Sequence, residues 1–345
     1  MELSDNKPVL VTSPYLPPLD DFMVYLEQIW ESKWLTNNGR FHQELEQALC
    51  DYLGVKYLSL FSNGTLALIT AIQTLKLSGE VITTPFSFVA TTHALWWNNI
   101  KPVFVDIEPH TFNLNPAKIE SAITPRTTGI LPVHVYGYPC DVEGIQEVAD
   151  LHGLKVIYDA CHTFGVTLRG VPVLNFGDLS VMSFHATKVF TTFEGGAIIC
   201  HDEATKRRID HLKNFGFEDG KVISHGINAK MNEVQAAMGL LQLKTIHLAI
   251  QERKEISDHY RSALSDVKGI RFLDDMKDVT HCYSYFPVLV DASVTGYSRD
   301  QLFEALEKEN IICRKYFYPL ISQFPIYSSL ESADSQHLPV ATELV

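Results

Sequence analysis

The stretch SFHATKVFTTFEGGAIIC, residues 183–200, carries a lysine inside a segment that is otherwise typical of a buried strand and a tight turn. It begins at the end of the apolar run LSVMS and continues, after Gly195 and Gly196, into a second apolar strand. A charged lysine that is buried without a partner is costly, so it tends to become neutral. A neutral amine is a nucleophile toward a carbonyl carbon. The pattern makes Lys188 a candidate catalytic residue, although a lysine whose amine reaches the surface also fits it.

The sequence before Cys200 alternates short apolar runs with segments of helical periodicity. The predicted strands are YLSLF (57–61), EVITT (80–84), KPVFVD (101–106), GILPVHVY (129–136) and LKVIYDA (154–160). Apolar strands that alternate with helices indicate an α/β fold with a large, mainly parallel sheet covered on both faces.

The pattern changes after Cys200. A long helix is predicted from Asn232 to about Ala263, followed by a strand over 283–290 and a helix from about Ser298. We therefore predict a large domain over 1–245 and a smaller α+β C-terminal domain over 246–345, with the boundary inside the long helix or at its end. The chain ends on ATELV, which resembles the start of an element and indicates a shortened C-terminus.

Composition narrows the class of protein. The net charge of −13 over 345 residues argues against nucleic acid or an anionic membrane as the main partner. Six cysteines are scattered without a CxxC pair, which argues against a metal site or a disulfide framework. The N-terminus lacks the pattern of a signal peptide, and no apolar run is long enough to span a bilayer. We expect a soluble, cytoplasmic protein.

A possible anion site follows the first predicted strand. The tripeptide Asn63-Gly64-Thr65 lies between that strand and a helix. Gly64 permits close approach of the backbone, the helix N-terminus offers free N–H groups, and Thr65 adds a hydroxyl. These features suit a phosphate, but for the tripeptide taken alone an ordinary helix cap is the favoured explanation.

Three further side chains lie near the ends of predicted strands, where ligands collect in open α/β sheets. Asp159 ends an apolar strand, His162 follows it, and Phe88 follows another strand. Taken singly, each has a structural explanation: a capping carboxylate, a structural histidine and a core aromatic. With Lys188 and a phosphate cup, they suit pyridoxal 5′-phosphate, which needs an amine for its aldehyde, a carboxylate for its ring nitrogen and an aromatic against its ring.

The chain also resembles a known family. The segments that carry the likeness are WLTNNGRFHQELEQAL, SNGTLAL, TTPFSFVAT, PVHVYGYPCDV, YDACHTFG, SFHATK, EGGAI and GINAKMNEVQAAMGL. They resemble the nucleotide-sugar aminotransferases of the DegT/DnrJ/EryC1/StrS type. The resemblance implies the fold type I architecture of pyridoxal phosphate-dependent transferases, similar to aspartate aminotransferase.

The resemblance also implies roles for particular residues. Lys188 matches the lysine that binds the cofactor covalently, and Asp159 matches the partner of the ring nitrogen. The other matching cofactor residues are Gly64, Thr65, Phe88, His162, Ser183 and Asn228. Asn228 matches a residue that reaches the neighbouring subunit's phosphate, which implies a homodimer with shared sites. Phe193 departs from the family, because many relatives have glycine there.

The implied activity is transfer of an amino group from L-glutamate to a nucleotide-linked ketosugar for a surface glycan such as O-antigen. Within the family, NGRFHQELEQALCDYLGV, TTFEGGAIIC and KYFYPLISQFP are most similar to enzymes that aminate C4 of dTDP-4-keto-6-deoxyglucose. Candidate substrate-binding residues are Lys230, Arg314, Lys315, Tyr316 and Tyr318, although the tyrosines also suit packing.

Other functions remain open from the sequence. Amination at C3, a UDP- or GDP-linked sugar and a non-catalytic sensor with the same fold all remain possible. A dehydratase of this fold is disfavoured by Lys188, since such enzymes replace the lysine with histidine. A cysteine desulfurase is disfavoured by the scattered cysteines.

Overall fold

A computed structural model describes residues 7–345. Residues 1–6 lie outside the described residues. They belong to the predicted large domain and to the N-terminus that lacks the pattern of a signal peptide. The strands are β1 (Tyr57–Phe61), β2 (Glu80–Thr83), β3 (Lys101–Phe104), β4 (Thr127–Leu131), β5 (Lys155–Asp159), β6 (Thr167–Leu168), β7 (Val171–Pro172), β8 (Leu179–Ser183), β9 (Gly196–Cys200), β10 (Phe217–Glu218), β11 (Lys221–Val222), β12 (Ile270–Phe272), β13 (Val279–Thr280) and β14 (Val288–Val290).

The α-helices alternate with these strands through the first two thirds of the chain. They are α1 (Leu19–Ser32), α2 (Arg40–Leu53), α3 (Gly64–Thr74), α4 (Ala90–Trp97), α5 (Val142–His152), α6 (Glu203–Leu212), α7 (Glu233–Leu264), α8 (Ala292–Thr295), α9 (Arg299–Lys308) and α10 (Pro339–Leu344). Short 3₁₀ turns occur in several of the connections.

The central sheet has seven strands in the order β1-β9-β8-β5-β4-β2-β3. Strand β9 runs antiparallel to both of its neighbours, and the other pairings are parallel. Apolar side chains of β5 and β8 are buried almost throughout, as expected for strands covered on both faces. The predicted α/β class with a large, mainly parallel sheet is confirmed.

The strand predicted over 129–136 is shorter in the structure, because β4 ends at Leu131. Proline at position 132 has no N–H to continue the ladder. Pairing with β5 resumes only at the bridge between Val133 and Asp159. There Asp159 N–H donates to the carbonyl of Pro132 at 2.9 Å, and His134 N–H donates to the carbonyl of Asp159 at 3.1 Å. The backbone of Asp159 is therefore fixed by its neighbouring strand.

The long helix α7 begins with a capping box between Asn232 and Gln235. It runs unbroken through 245 and 246, so the boundary placed there falls within a helix, and the division into two domains stays a prediction. Beyond it, β12 pairs with β14, which covers only the end of the strand predicted over 283–290. Helix α9 follows its N-cap Ser298 as predicted.

The last thirty residues return to the large sheet. Phe317 and Tyr327 are buried in one cluster with Phe86 and Phe104. The buried carboxylate of Asp106 accepts hydrogen bonds from the first turns of α10. This return brings the segment around 316–318 to the end of the sheet that holds Asp159.

Within residues 7–345, no group of histidine, cysteine, aspartate and glutamate side chains is arranged to hold a metal ion. None of the helices described is long and apolar enough to span a bilayer.

Candidate active site

Lys188 lies in the turn between β8 and β9, two strands that pair side by side. Its N–H donates to the carbonyl of His185 at 2.8 Å, which closes the turn. Its Nζ lies 3.5 Å from the hydroxyl of Tyr285 and 6.0 Å from the centroid of that ring. The amine is therefore directed at another side chain within the protein.

The charge of Lys188 differs from the expectation. Burial lowers its pKa, but Tyr285, Cys161 and Asp159 oppose this effect, and the pKa of Lys188 lies above its ordinary value. The prediction that burial makes the amine neutral is therefore wrong. The reason is that the Tyr285 hydroxyl, which can accept a hydrogen bond, and the Asp159 carboxylate favour the charged form of the amine.

Asp159 ends β5 and is 5% exposed. Its Oδ2 accepts a hydrogen bond from the hydroxyl of Thr91 at 2.7 Å, and its Oδ1 accepts one from the N–H of Cys161 at 3.2 Å. Thr91 is itself buried at the start of α4. Two donors from different elements fix the orientation of this carboxylate.

His162 is buried three residues after Asp159. Its Nδ1 accepts a hydrogen bond from the N–H of Tyr136 at 3.2 Å. Burial, followed by the charges of Lys188 and His134, holds the pKa of His162 well below its usual range. The ring is therefore neutral, and since Nδ1 accepts, its proton lies on Nε2.

The predicted phosphate cup lies where α3 begins, beside the end of β8. The Asn63 side chain accepts from Leu66 N–H at 2.9 Å, so the tripeptide is also an ordinary helix cap. A Cβ added to Gly64 would lie 2.9 Å from the Cβ of Ser183, and one added to Gly196 would lie 2.8 Å from the nitrogen of Gly64. This tight approach brings Gly64 and Ser183 together at a helix N-terminus, while Thr65 is exposed on its first turn.

Phe88 is 58% exposed, so it is not a core residue. Its carbonyl accepts a hydrogen bond from the N–H of Thr91 at 3.2 Å. Because Thr91 also bonds Asp159, the turn that carries Phe88 is attached to the carboxylate.

Asn228 and Lys230 lie on a different segment. Asn228 is exposed and forms a bridge with Asn214, whose side chain accepts from Lys230 Nζ at 2.8 Å. Burial, with the charge of Lys213, lowers the pKa of Lys230. Within the part of the chain that the structure describes, no hydrogen bond joins this pair to Lys188.

The segment around 314–318 contacts the site through its backbone and rings. The hydroxyl of Tyr136 donates to the carbonyl of Tyr316 at 2.7 Å, and the rings of Tyr285 and Tyr316 lie 6.0 Å apart. Arg314 donates to the Tyr316 hydroxyl at 2.5 Å. The other two candidate substrate-binding residues of this segment contact α9. Lys315 pairs with Asp300 at 3.0 Å. The ring centroid of Tyr318 lies 4.1 Å from the guanidinium carbon of Arg299.

The sequence did not reveal three residues that contact the site, Thr91, Tyr136 and Tyr285. Each is far in sequence from the group it touches, since Thr91 precedes Asp159 by 68 residues and Tyr285 follows Lys188 by 97. Of the three, only Thr91 had a signal in the sequence, which is a hydroxyl residue near the start of a helix that follows a strand.

The donor set fits pyridoxal 5′-phosphate. A close-packed helix N-terminus at Gly64 and Ser183 suits the phosphate, and the fixed carboxylate of Asp159 suits a pyridinium nitrogen. The neutral imidazole of His162 and the amine of Lys188 lie beside that carboxylate. Fold and site together define a pyridoxal phosphate-dependent transferase of fold type I.

Comparison with known proteins identifies the family within this class. Residues 19–345 match the DegT/DnrJ/EryC1/StrS aminotransferase family, and the chain belongs to it. The protein is therefore an aminotransferase whose cofactor is pyridoxal 5′-phosphate, as predicted.

Similar proteins cover nearly the whole chain. A dTDP-4-amino-4,6-dideoxy-D-glucose transaminase from Escherichia coli is 53% identical over 342 residues, which are 99% of this chain and 92% of the relative. One from Shigella dysenteriae is 54% identical over 93% of this chain and 88% of its own. Among solved structures, DesI in the presence of its TDP-sugar product has a TM-score of 0.94 at 36% identity, over 99% of this chain and 86% of DesI.

Proposed function

We propose that the protein transfers the amino group of L-glutamate to C4 of dTDP-4-keto-6-deoxyglucose, giving dTDP-4-amino-4,6-dideoxyglucose. The observation that carries the proposal is 53% identity over 99% of the chain to a transaminase named for that product. The similarity to DesI, whose structure was determined with a TDP-sugar product, supports the same nucleotide. We also propose that the product supplies O-antigen or another surface glycan and that the enzyme acts in the cytoplasm.

The site residues would share the work as follows. Bound pyridoxal phosphate carries the amino group and accepts electrons from the carbon that loses a proton. Asp159, oriented by Thr91, would hold the ring nitrogen in its protonated form. Lys188 would hold the cofactor covalently and, once released, move a proton to or from the substrate carbon. Gly64 and Ser183 would bind the phosphate.

His162 and Phe88 would complete the cofactor site. The neutral His162 has its Nε2–H available for an oxygen acceptor, since its Nδ1 is occupied by the Tyr136 N–H. Phe88 is exposed at the turn attached to Asp159, which suits a ring that stacks on a flat ligand.

We also propose a homodimer with shared sites. Asn228 is exposed, and among the described residues neither Asn228 nor Lys230 is hydrogen-bonded to Lys188, which suits residues that serve the neighbouring subunit's cofactor and substrate. Arg314, Lys315 and Tyr316 would bind the sugar nucleotide, together with Tyr318. Of these, Arg314 and Tyr316 are joined to the site through Tyr136.

A substrate that carries a different nucleotide is the alternative to test. A GDP-perosamine synthase from Escherichia coli O157:H7 is 33% identical over 93% of this chain. Amination of a GDP- or UDP-linked ketosugar, or amination at C3, therefore remains the alternative.

The experiment is an assay of the purified protein with L-glutamate and matched dTDP-, UDP- and GDP-4-keto-6-deoxysugars, with a 3-keto sugar as the regioisomer. We expect the highest kcat/KM with dTDP-4-keto-6-deoxyglucose and a 4-amino product by NMR. A higher kcat/KM with another nucleotide, or a 3-amino product, would refute the assignment. Absence of turnover with all of them, despite bound cofactor, would favour the sensor.

A further inference from the structure

The hydroxyl of Tyr285 is the nearest side-chain partner that the structure gives to the amine of Lys188. The two atoms lie 3.5 Å apart. Tyr285 comes from the segment before β14, whereas Lys188 comes from the turn after β8, so the contact joins the C-terminal third of the chain to the large sheet.

The segment that carries Tyr285 is attached to the site at several points. The hydroxyl of Ser284 donates to the carbonyl of His162 at 2.9 Å, and the thiol of Cys282 donates to the same carbonyl at 3.2 Å. The ring of Tyr285 packs edge-on against His162, with centroids 4.8 Å apart, and lies 5.5 Å from the ring of Tyr136. These contacts fix the position of the hydroxyl.

The Asp159 oxygens and Nδ1 of His162 already accept hydrogen bonds from other groups. Asp159 accepts from Thr91 and from the Cys161 N–H, and Nδ1 of His162 accepts from Tyr136. Burial raises the pKa of Tyr285, although Lys188 opposes this, so its hydroxyl keeps its proton at neutral pH. A neutral hydroxyl can accept from an ammonium group and can donate to a neutral amine.

We propose that Tyr285 is a positioning residue for Lys188. Its hydroxyl stays hydrogen-bonded to the amine in both charge states, so the amine keeps its position while it gains or loses a proton. The Asp159 carboxylate can only accept, and the weakly polar thiol of Cys161 is directed at the carbonyl of Val181. Within residues 7–345, the Tyr285 hydroxyl is the side-chain hydrogen-bond partner of the amine.

The test uses Tyr285→Phe, which keeps the ring and removes the hydroxyl. The matched control is Tyr138→Phe, a buried tyrosine whose hydroxyl lies 3.5 Å from the carbonyl of Leu273. Each full-length protein is loaded with pyridoxamine phosphate, so that the Lys188 amine is free. Labelling by formaldehyde and cyanoborohydride is then followed against pH, with mass spectrometry of the Lys188 peptide.

We expect the labelling midpoint of Lys188 to fall by about one pH unit in Tyr285→Phe, since the loss of a partner for the charged amine favours the neutral form. The kcat of the glutamate half-reaction should fall about tenfold with little change in KM. The Tyr138→Phe control should match the wild type. Unchanged labelling midpoints in Tyr285→Phe would overturn the proposal.

A second variant covers the case in which Tyr285→Phe does not fold. Ser284→Ala keeps the phenol but removes its anchor on His162, and we expect a smaller shift of the midpoint in the same direction. If Tyr285→Phe is unfolded, an unshifted labelling midpoint in Ser284→Ala would also count against the proposal.

The inference rests on the proposed role of Lys188, which borohydride reduction of the cofactor-loaded wild type tests separately. If Lys188 carries the cofactor and the labelling midpoints do not move, only the role of Tyr285 fails.

Discussion

The hydroxyl of Thr91 donates a 2.7 Å hydrogen bond to Oδ2 of Asp159, across 68 residues of sequence. Thr91 lies in the first turn of α4, and Asp159 ends the buried strand β5. This bond attaches the turn that carries Phe88 to the carboxylate that we assign to the cofactor's ring nitrogen. The two sides of the proposed cofactor site are therefore held in one geometry.

The Thr91 bond predicts a graded loss of activity. Asp159→Asn should lower kcat about 100-fold or more, because it removes the charge that holds the ring nitrogen protonated. Thr91→Val should lower kcat about tenfold, the loss expected from one hydrogen bond to a charged group. The kcat of each purified variant checks both values.

Thr92→Val is the matched control, because Thr92 is also buried and its hydroxyl has no hydrogen-bond partner among residues 7–345. It should keep nearly full activity. Equal losses in Thr91→Val and Thr92→Val would show that packing in α4, and not the bond to Asp159, sets the rate.

The two cationic side chains proposed to bind the sugar nucleotide, Arg314 and Lys315, should not contribute equally to its affinity. Lys315 is paired with Asp300, whereas Arg314 bonds a neutral phenol, so Arg314 keeps more of its charge available to a diphosphate. Arg314→Gln should raise KM for the nucleotide sugar about tenfold, with a smaller rise in Lys315→Gln. KM for L-glutamate serves as the internal control, and a larger effect from Lys315 would contradict this ranking.

Buried histidines predict acid instability. Burial lowers the pKa of His42 to about 4, of His134 to about 3 and of His281 to about 4. The unfolded chain takes up these protons near pH 6.5, whereas the folded chain does not until the pH falls to these lower values. Each histidine therefore lowers the free energy of unfolding by about 1.4 kcal/mol per pH unit as the pH falls below about 6.5.

Urea unfolding at pH 7 and at pH 5.5 tests this dependence. His42→Gln should reduce the difference between the two free energies by about 1.4 kcal/mol. His110→Gln, at an exposed position, should leave the difference unchanged. An identical pH dependence in the wild type and His42→Gln would show that His42 does not contribute.

A buried carboxylate joins two helices. Glu233 begins α7, and its oxygens accept from the N–H groups of Phe41 at 2.8 Å and His42 at 3.1 Å, in the first turn of α2. Glu233→Gln should lower the free energy of unfolding by about 1–2 kcal/mol, because the charge stabilises both helix N-termini. Glu252→Gln, exposed on the same helix, is the control and should change it by less than about 0.5 kcal/mol.

The sequence predicts much of this site, because the ends of buried strands can be recognised where an apolar run stops at a polar residue. Asp159 and Ser183 end the neighbouring strands β5 and β8, and Lys188 follows in the next turn. Apolar runs that stop at a polar residue were enough to place all three. The helix from Ser298 was also predictable, from its capping residue and helical period.

The partners of these residues were not predictable in the same way. Thr91, Tyr136 and Tyr285 reach the site through tertiary contacts, and a local pattern carries no information on a contact of this span. The charge of Lys188 was mispredicted for the same reason, since burial was visible in the sequence but Tyr285 was not. The early end of β4 followed from one proline inside an otherwise apolar run.

The most direct test of the account is where the cofactor attaches. The purified protein, loaded with pyridoxal phosphate, is reduced with borohydride and digested, and the modified peptide is sequenced by mass spectrometry. We predict loss of the long-wavelength absorbance and a phosphopyridoxyl group on Lys188, with none in Lys188→Ala. A modified lysine elsewhere, or bound cofactor that borohydride does not fix to Lys188, would contradict the central assignment.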